Sequence, residues 1–187
     1  MPMKKIVCIV GMIILVSCGG TKTYTEQEQQ QYELLKALVE SKQFKIQSNF
    51  ARPMATAALT KVSNSGLLGP GNSASHIDIS TSSNFLEIEG DSVKGYFPFF
   101  GEQQIGNYPG NNRQGIEFSG IAKEYTFTEN DAKQFIHIHF KIEDKNRGRE
   151  QYTVFITLFP NNRSVIQINS SHRSSIEYSG TLQQLRR

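Results

Sequence analysis

The sequence places its potential metal ligands closest together in His137-Ile-His139, with Glu143 four residues further on. Residues two apart point to the same face of a β-strand, so these three side chains would share one face. Two imidazoles and a carboxylate form a donor set that zinc and other transition metals accept. The opposite face of the same strand is apolar and is formed by Ile136, Ile138, Phe140 and Ile142. Since that face must be the buried one, we expect a solvated histidine pair, with a metal site as the alternative, and no cofactor.

A second group of candidate residues is aromatic and lies in the segment Gly95-Tyr-Phe-Pro-Phe-Phe-Gly101. Its rings cannot all point the same way on a strand, and Pro98 removes a ladder donor, so we expect a sheet edge or a bend here. Rings that turn inward would close the end of the core, whereas outward rings would form a rim for a ligand or partner. The candidate partner surface consists of Tyr96, Phe97, Phe99 and Phe100.

Sequence motifs for catalysis are missing or out of context. There is no Gly-x-Ser-x-Gly motif, and no spacing indicates a Ser-His-Asp triad. The run Gly69-Pro-Gly71-Asn-Ser-Ala74 follows no predicted strand and precedes no predicted helix, so it lacks the context of a dinucleotide site. The sequence therefore predicts a protein that is not an enzyme. Asp91-Ser92-Val93 matches a short O-glycosylation signal of periplasmic proteins, which makes Ser92 a candidate modification site.

The N-terminal residues predict how the protein is held in place. Lys4 and Lys5 precede an apolar run at residues 6–16, which as a helix would span about 16 Å, half of a bilayer core. This pattern is typical of a signal peptide and not of a membrane span. Leu15-Val16-Ser17-Cys18 resembles the lipobox of bacterial lipoproteins, in which the cysteine thiol takes a diacylglyceryl group and the preceding peptide is removed. The resemblance implies a membrane anchor of several acyl chains on Cys18.

The residues after the cysteine, and the overall charge, indicate location and partners. Gly19 and Gly20 follow Cys18, and no acidic residue occurs up to Tyr24. In the lipoproteins that the sequence resembles, an Asp after the cysteine retains the protein at the inner membrane, and an acidic cluster favours the cell surface. The resemblance therefore implies the outer membrane, facing the periplasm. The formal net charge is +3 and no basic face is clustered, so we expect no nucleic-acid partner.

One helix and a series of strands must position these groups. Thr25 and Glu28 have the spacing of a capping box, and apolar residues recur at helical spacing up to Val39, which predicts an amphipathic helix over residues 25–42. From Phe44 onward the apolar period changes to 2. The alternating segments are residues 44–50, 77–79, 85–88, 116–118, 125–127, 135–142, 152–159, 165–168 and 176–178.

The connections between these segments determine the predicted architecture. They are mostly hairpin-length and leave no room for crossover helices, which excludes a parallel sheet. Residues 62–75 and 102–114 are predicted to be longer loops. We therefore predict a mainly β chain, with one antiparallel sheet curled into a barrel or folded into a sandwich, preceded by one N-terminal helix. The predicted organisation is a signal peptide at residues 1–17, a lipidated tether at 18–24, a helix at 25–42 and a β domain at 43–187.

Several motifs of this β domain resemble a known family. They are the aromatic segment at residues 95–101, Gly115-Ile-Glu-Phe118 and Ser175-Ile-Glu-Tyr-Ser-Gly180. Together they resemble the bacterial lipoproteins catalogued as domain of unknown function 4251, with a likeness from about Phe44 to Gly180. That family has no established activity, so the resemblance implies an envelope lipoprotein and supplies no catalytic residues.

The function that the sequence predicts is a non-catalytic envelope lipoprotein, attached to the membrane through lipid at Cys18, whose β domain binds another periplasmic protein. The alternative is a carrier in which the curled sheet encloses a lipid or another small apolar ligand. An enclosed cavity of roughly several hundred Å³ would favour the carrier. A filled core with an exposed aromatic edge would favour the binding module.

Overall fold

The computed structural model describes residues 23–105, 115–146 and 149–185, which form two helices and ten strands. The predicted signal peptide, Cys18 and most of the predicted tether lie outside the described residues. In chain order the elements are α1 (Glu26–Glu40), β1 (Gln43–Pro53), α2 (Ala57–Asn64), β2 (Ile77–Asp78), β3 (Phe85–Glu89), β4 (Ser92–Phe97), β5 (Ile116–Ile121), β6 (Lys123–Asn130), β7 (Phe135–Glu143), β8 (Gln151–Leu158), β9 (Arg163–Ser170) and β10 (Ile176–Gln184).

The strands pair in one antiparallel sheet with the order β5-β4-β3-β1-β10-β9-β8-β7-β6, and β2 pairs separately with β1. Most neighbours that follow one another along the chain are joined by short turns, whereas residues 98–115 connect β4 to β5. Gly90, at φ 61°, occupies the left-handed conformation that the two-residue β3–β4 turn requires. The predicted antiparallel, mainly β architecture is confirmed.

The sheet curls into a nearly closed barrel. Its two edge strands, β5 and β6, are separated in the chain by Ala122 alone, so the chain passes directly from one edge of the sheet to the other. Inside, the ring of Phe118 on β5 lies 6.4 Å from that of Phe140 on β7, measured between centroids. The backbone N–H of Lys145, just past β7, also donates to the Glu117 carbonyl of β5 at 2.9 Å. The two edges therefore lie against each other.

Alternating side chains from the long strands other than β6, which has no buried residue, fill the barrel. In β8, for example, Tyr152, Val154, Ile156 and Leu158 are fully buried while the residues between them face outward. Gly95 makes room for this packing, because a Cβ there would lie 2.3 Å from the Phe118 ring. Each large apolar side chain buried in this way stabilises the fold by roughly 1.5–3 kcal/mol before the cost of ordering the chain.

Helix α1 covers one end of the barrel, which we call the helix end. Thr25 caps it: the Thr25 hydroxyl accepts a hydrogen bond from the Glu28 N–H at 3.2 Å, and the Glu28 carboxylate accepts one from the Thr25 N–H at 2.9 Å. Its inner face buries Tyr32, Leu35 and Val39. No helix within the described ranges combines the length and apolar character needed to cross a bilayer.

One sequence prediction about local structure was wrong, and a second was right only in part. The chain has a second helix, α2, where one helix and a loop from residue 62 were predicted. Thr56 caps α2, but none of its residues is buried, so it has no apolar stripe from which it could be recognised. The aromatic segment was predicted at a sheet edge or a bend, yet Tyr96 and Phe97 belong to β4, which is paired on both sides. The chain leaves the sheet only at Pro98.

Candidate functional site

The end of the barrel opposite α1, which we call the charged end, is closed by buried polar side chains. Here β7 ends and β8 begins, and the inward alternation of both strands continues one residue beyond them. That continuation turns Asp144 and Glu150 toward the interior, where they are 6% and 2% exposed. Arg173 reaches the same place from the turn between β9 and β10 and is 4% exposed. Buried carboxylates and guanidinium groups are stable only when they are paired.

Arg173 is the centre of this network. Its Nε lies 2.9 Å from Oε1 of Glu150, and both side chains are 2% exposed. Its Nη1 donates to the carbonyl of Gly115 at 3.0 Å, and its guanidinium lies 5.1 Å from the centroid of the Phe99 ring. The Ser170 hydroxyl donates to the same carboxylate oxygen of Glu150 at 2.7 Å. One side chain thereby joins the β9–β10 turn, the start of β8, the entry to β5 and the aromatic segment.

Two buried tyrosines hold the rest of the charged end. The Tyr152 hydroxyl donates to Oδ2 of Asp144 at 2.6 Å, and the Tyr178 hydroxyl donates to the carbonyl of Pro98 at 2.8 Å. Burial raises the pKa of both hydroxyls, and for Tyr152 the neighbouring Asp144 carboxylate raises the pKa further. Both hydroxyls therefore stay protonated at neutral pH and serve as donors, Tyr178 to the point where the chain leaves β4.

The four predicted aromatic residues lie at different depths beside this network. Tyr96 points outward and is 38% exposed, whereas Phe97 is fully buried, with its ring centroid 4.6 Å from that of Tyr178. Phe99 and Phe100 are partly buried and pack on the edge of the core. The structure therefore divides the predicted partner surface: Phe97 is a core residue, and Tyr96, Phe99 and Phe100 remain as a rim around the charged end.

The predicted histidine pair lies on the outer wall of the barrel. His137 is exposed, and its Nδ1 is 3.0 Å from the Thr157 hydroxyl, while the His139 ring stacks near Phe155. Glu143 forms an ion pair with Lys123 at 2.7 Å. Throughout the part of the chain that the structure describes, no three His, Cys, Asp or Glu side chains are grouped so that they could hold a metal ion.

The predicted glycosylation site lies at the helix end of the barrel. Ser92 is the first residue of β4 and is half-buried. Its neighbour Asp91 is paired with Lys42 at 2.7 Å, and hydrogen bonding to that ammonium group lowers the pKa of the Asp91 carboxyl. The aspartate of the signal is therefore ionised and held by the turn that leads from α1 into β1.

One pair of side chains at the charged end has the residue types of a nucleophile and a base. The Ser171 hydroxyl lies 2.7 Å from Nδ1 of His172, and both residues are accessible to solvent. The Ser171 hydroxyl also accepts a hydrogen bond from the Gln151 N–H at 3.0 Å. Among the described residues, His172 makes no ion pair with a carboxylate that would orient its ring as in a catalytic triad.

A groove lies at the helix end of the barrel. It has a volume of about 1270 Å³ and runs between α1, the β8–β9 turn and the last residues of β10. Its apolar lining comes from Leu34, Leu38, Pro160, Leu182 and Leu185. Leu34 is 65% exposed. We call this feature the α1 groove; it lies outside the filled interior of the barrel.

Sequence reasoning found neither the charge network nor the α1 groove. The signal for Asp144 and Glu150 was present, because both continue the inward period of an adjacent strand. Arg173 lies outside any strand and has no local signal of that kind. The groove combines α1 with residues more than a hundred positions further along the chain, so only the tertiary fold brings its walls together.

Comparison with known proteins shows the family. The model of the family described as "Domain of unknown function (DUF4251)" matches residues 26–182. The chain belongs to the DUF4251 family. The match begins at the first residue of α1 and includes Glu150 and Arg173, so both ends of the barrel lie within the family region. No curated protein matches the chain.

A solved structure of a DUF4251 family protein supports the fold. It is a crystal structure of the protein from Bacteroides eggerthii DSM 20697 at 1.95 Å resolution. The two chains are 16% identical and superpose with a TM-score of 0.52, covering 84% of this chain and 90% of that chain. At this identity the likeness shows that the DUF4251 fold is shared.

Proposed function

We propose that this chain is a non-catalytic lipoprotein of the outer membrane, anchored through Cys18, whose charged end binds another periplasmic protein. The observation that carries the proposal is the filled interior of the barrel, together with the aromatic rim at the end away from α1. Because apolar side chains occupy the inside of the sheet, the described residues favour binding at the outer surface over enclosure of a ligand.

The short tether supports an orientation for this binding. Thr25 is seven positions after Cys18, and this segment reaches at most about 25 Å when fully extended. The nine residues of β7 already span about 30 Å along the barrel wall. A tether attached at the helix end keeps that end of the barrel nearer to the membrane than the charged end. The orientation in this proposal therefore turns the charged end, with its aromatic rim, toward the periplasm.

The charged end has the properties of a preorganised binding surface. Arg173 and Tyr178 fix the chain on either side of Pro98, so Phe99 and Phe100 do not have to be ordered when a partner arrives. A rigid surface binds more tightly because less conformational entropy is lost. Exposed aromatic side chains such as Tyr96 are also the residues that most often dominate binding energy at interfaces.

A carrier of an apolar ligand is the second candidate function, and the α1 groove favours it. At about 1270 Å³ the groove is large enough for a lipid-sized molecule. Its ligand would lie against α1 on the outside of the barrel, in contrast to a carrier that encloses its ligand in the sheet.

Photo-crosslinking in intact cells followed by mass spectrometry tests the proposed function. A short crosslinker attached next to the rim should capture a periplasmic protein from cells producing the unchanged chain, and Tyr96→Ser together with Phe100→Ser should abolish that capture. Phe155→Ser is the matched control, because Phe155 is a similarly exposed aromatic residue, at 41%, on the barrel wall. Cys18→Ala should release the chain from the membrane fraction.

The outcome that contradicts the proposal is equally defined. Recovery of the same protein in equal amount from the rim variant and from Phe155→Ser would show that the charged end is not the binding surface. Circular dichroism of both variants checks that the barrel is intact. We expect it to be, because the substituted side chains are partly exposed.

A further inference from the structure

The α1 groove gives the helix end an apolar surface that the core does not need. Tyr32, Leu35 and Val39 already fill the inner face of α1. Leu34 and Leu38 lie beside that face and line the groove together with Leu35, and Leu38 also packs against the core. Leu34 is 65% exposed, although a leucine gains stability only when it is removed from water. An exposed, concave, apolar surface of this kind marks a binding site for another apolar surface.

The charge in the groove restricts the chemistry of its occupant. Lys45 is the one charged residue among the described side chains that line it, and no carboxylate lines it. The Lys45 ammonium group lies 5.1 Å from the centroid of the Phe85 ring, where its alkyl chain runs along apolar surface. Leucines and uncharged polar side chains such as Gln31 and Asn162 line the groove, and with its single cation it matches an acyl chain that carries an anionic head group.

The short segment between Cys18 and α1 indicates where the groove would encounter a lipid. Cys18 is seven residues from the cap of α1, which is about 25 Å at most. Leu34 lies nine residues into the helical segment that starts at Thr25, a rise of about 13 Å. The groove therefore lies at the end of the barrel to which an anchor at Cys18 is attached, and the charged end lies at the far end.

We propose that the α1 groove binds an acyl chain of an anionic phospholipid from the leaflet that holds the anchor, so that the helix end rests on the bilayer. This inference rests on the proposed lipid anchor at Cys18. Contact between the groove and the bilayer would add to the anchor a second attachment, which limits the rotation of the domain and holds the aromatic rim outward.

Tryptophan fluorescence tests this inference directly, because the chain has no tryptophan of its own. Leu34→Trp places a single fluorophore in the α1 groove, and Tyr96→Trp places one at the charged end as the matched control. Both positions are exposed, so both variants should fold. The full lipidated protein is purified from membranes and incorporated into vesicles of phosphatidylglycerol and acyl-brominated phosphatidylcholine, whose bromine atoms quench tryptophan on contact.

The expected result is a blue shift and a strong loss of emission for Leu34→Trp, with neither change for Tyr96→Trp. Adding Lys45→Glu to the Leu34→Trp variant should reduce the quenching in vesicles that contain phosphatidylglycerol, and leave it unchanged in vesicles of neutral lipid alone. These differences would show that the groove takes bilayer lipid and that Lys45 reads its head group.

Three outcomes would overturn the inference. If the protein floats with the vesicles but Leu34→Trp keeps the emission that it has in water, the groove stays empty and only the lipid anchor stands. If Leu34→Trp is blue-shifted but not quenched, the groove is occupied by the acyl chains on Cys18 itself. If the protein does not float with the vesicles, the proposed anchor fails together with the inference that rests on it.

Discussion

The two ends of the barrel are closed by opposite kinds of interaction. The helix end is covered by an apolar face, in which Tyr32, Leu35 and Val39 of α1 are buried. The charged end is closed by a buried ion pair between Glu150 and Arg173 with its surrounding hydrogen bonds. Apolar burial is non-directional, so α1 can adjust its position at little cost. Buried polar groups demand fixed distances and angles, so the charged end is specified as one geometry.

The periphery of the helix end adds ion pairs to this apolar cover. Lys36 lies 2.9 Å from Asp131 and 3.2 Å from Glu129, both in or next to the β6–β7 turn. Hydrogen bonding to Asp131 raises the pKa of Lys36, and the same contact lowers the pKa of Asp131. Burial, followed by the neighbouring Asp131, raises the pKa of Tyr32 to about 12. Lys36, Glu129 and Asp131 are partly exposed, so their ion pairs orient α1 and contribute less than its apolar face.

The largest effect should come from breaking the charged end. Arg173→Met removes the partner of Glu150 and leaves a buried carboxylate, which should lower the free energy of unfolding by about 3–5 kcal/mol. Urea unfolding at pH 7 measures this loss. The double variant Arg173→Met with Glu150→Gln should be more stable than Arg173→Met alone, because no uncompensated charge remains. A loss below about 1 kcal/mol for Arg173→Met would be the value of an exposed pair and would contradict this account of the network.

Loosening the helix end should have a smaller effect. Leu35→Ala removes a side chain that is 4% exposed and should cost about 2–3 kcal/mol, because α1 can settle into part of the space. Leu34→Ala is the matched control on the same helix and should change stability by no more than about 0.5 kcal/mol. The same urea titration compares the two variants. Equal losses for Leu34 and Leu35 would mean that both faces of α1 are packed to the same extent.

The smallest effect should be a pH-dependent one at the helix end. The pKa of Asp131 is lowered in the folded chain, so its contribution is present above the unfolded value of about 3.9 and is lost as pH falls through the folded value. Asp131→Asn should therefore be less stable than the unchanged chain at pH 7, and the difference should shrink as pH falls and disappear once Asp131 is protonated in the folded chain. Thermal unfolding at low ionic strength measures it, since salt screens this pair. A difference that is independent of pH would exclude the Lys36 pairing as its cause.

The sequence predicts those features that depend on local periodicity and local capping. Inward and outward alternation identified most strands, because each side chain of a curled sheet faces either the core or water. Thr25 and Glu28 marked the start of α1, since a capping box is complete within four residues. Helix α2 was missed because it buries nothing, and β4 was missed because Gly95 and Pro98 interrupt its pattern.

The candidate site was less predictable than the fold for a physical reason. Charged residues at inward positions contradict the binary pattern of a strand. From the sequence alone Asp144 therefore looks like part of the connection after the strand, and only the structure places Tyr152 beside it. Arg173 compensates the buried charge of Glu150, but it is 23 residues further along the chain and lies in a turn. A pattern that depends on adjacent residues cannot show a pair formed across strands. The aromatic segment was recognised because its residues are contiguous.

The passage from β5 through Ala122 to β6 has a consequence for the whole barrel. Every hydrogen-bonded ladder joins strands other than this pair. The barrel is therefore closed here by the Ala122 link, by the hydrogen bond from the Lys145 N–H to the Glu117 carbonyl and by packing across the gap. Ala122 is thus the covalent link between the two edge strands. Residues inserted at Ala122 would let the edge strands β5 and β6 move apart, while the hydrogen bonds between all other strands stayed intact. Water could then reach the aromatic side chains of the core through the gap between the two edges.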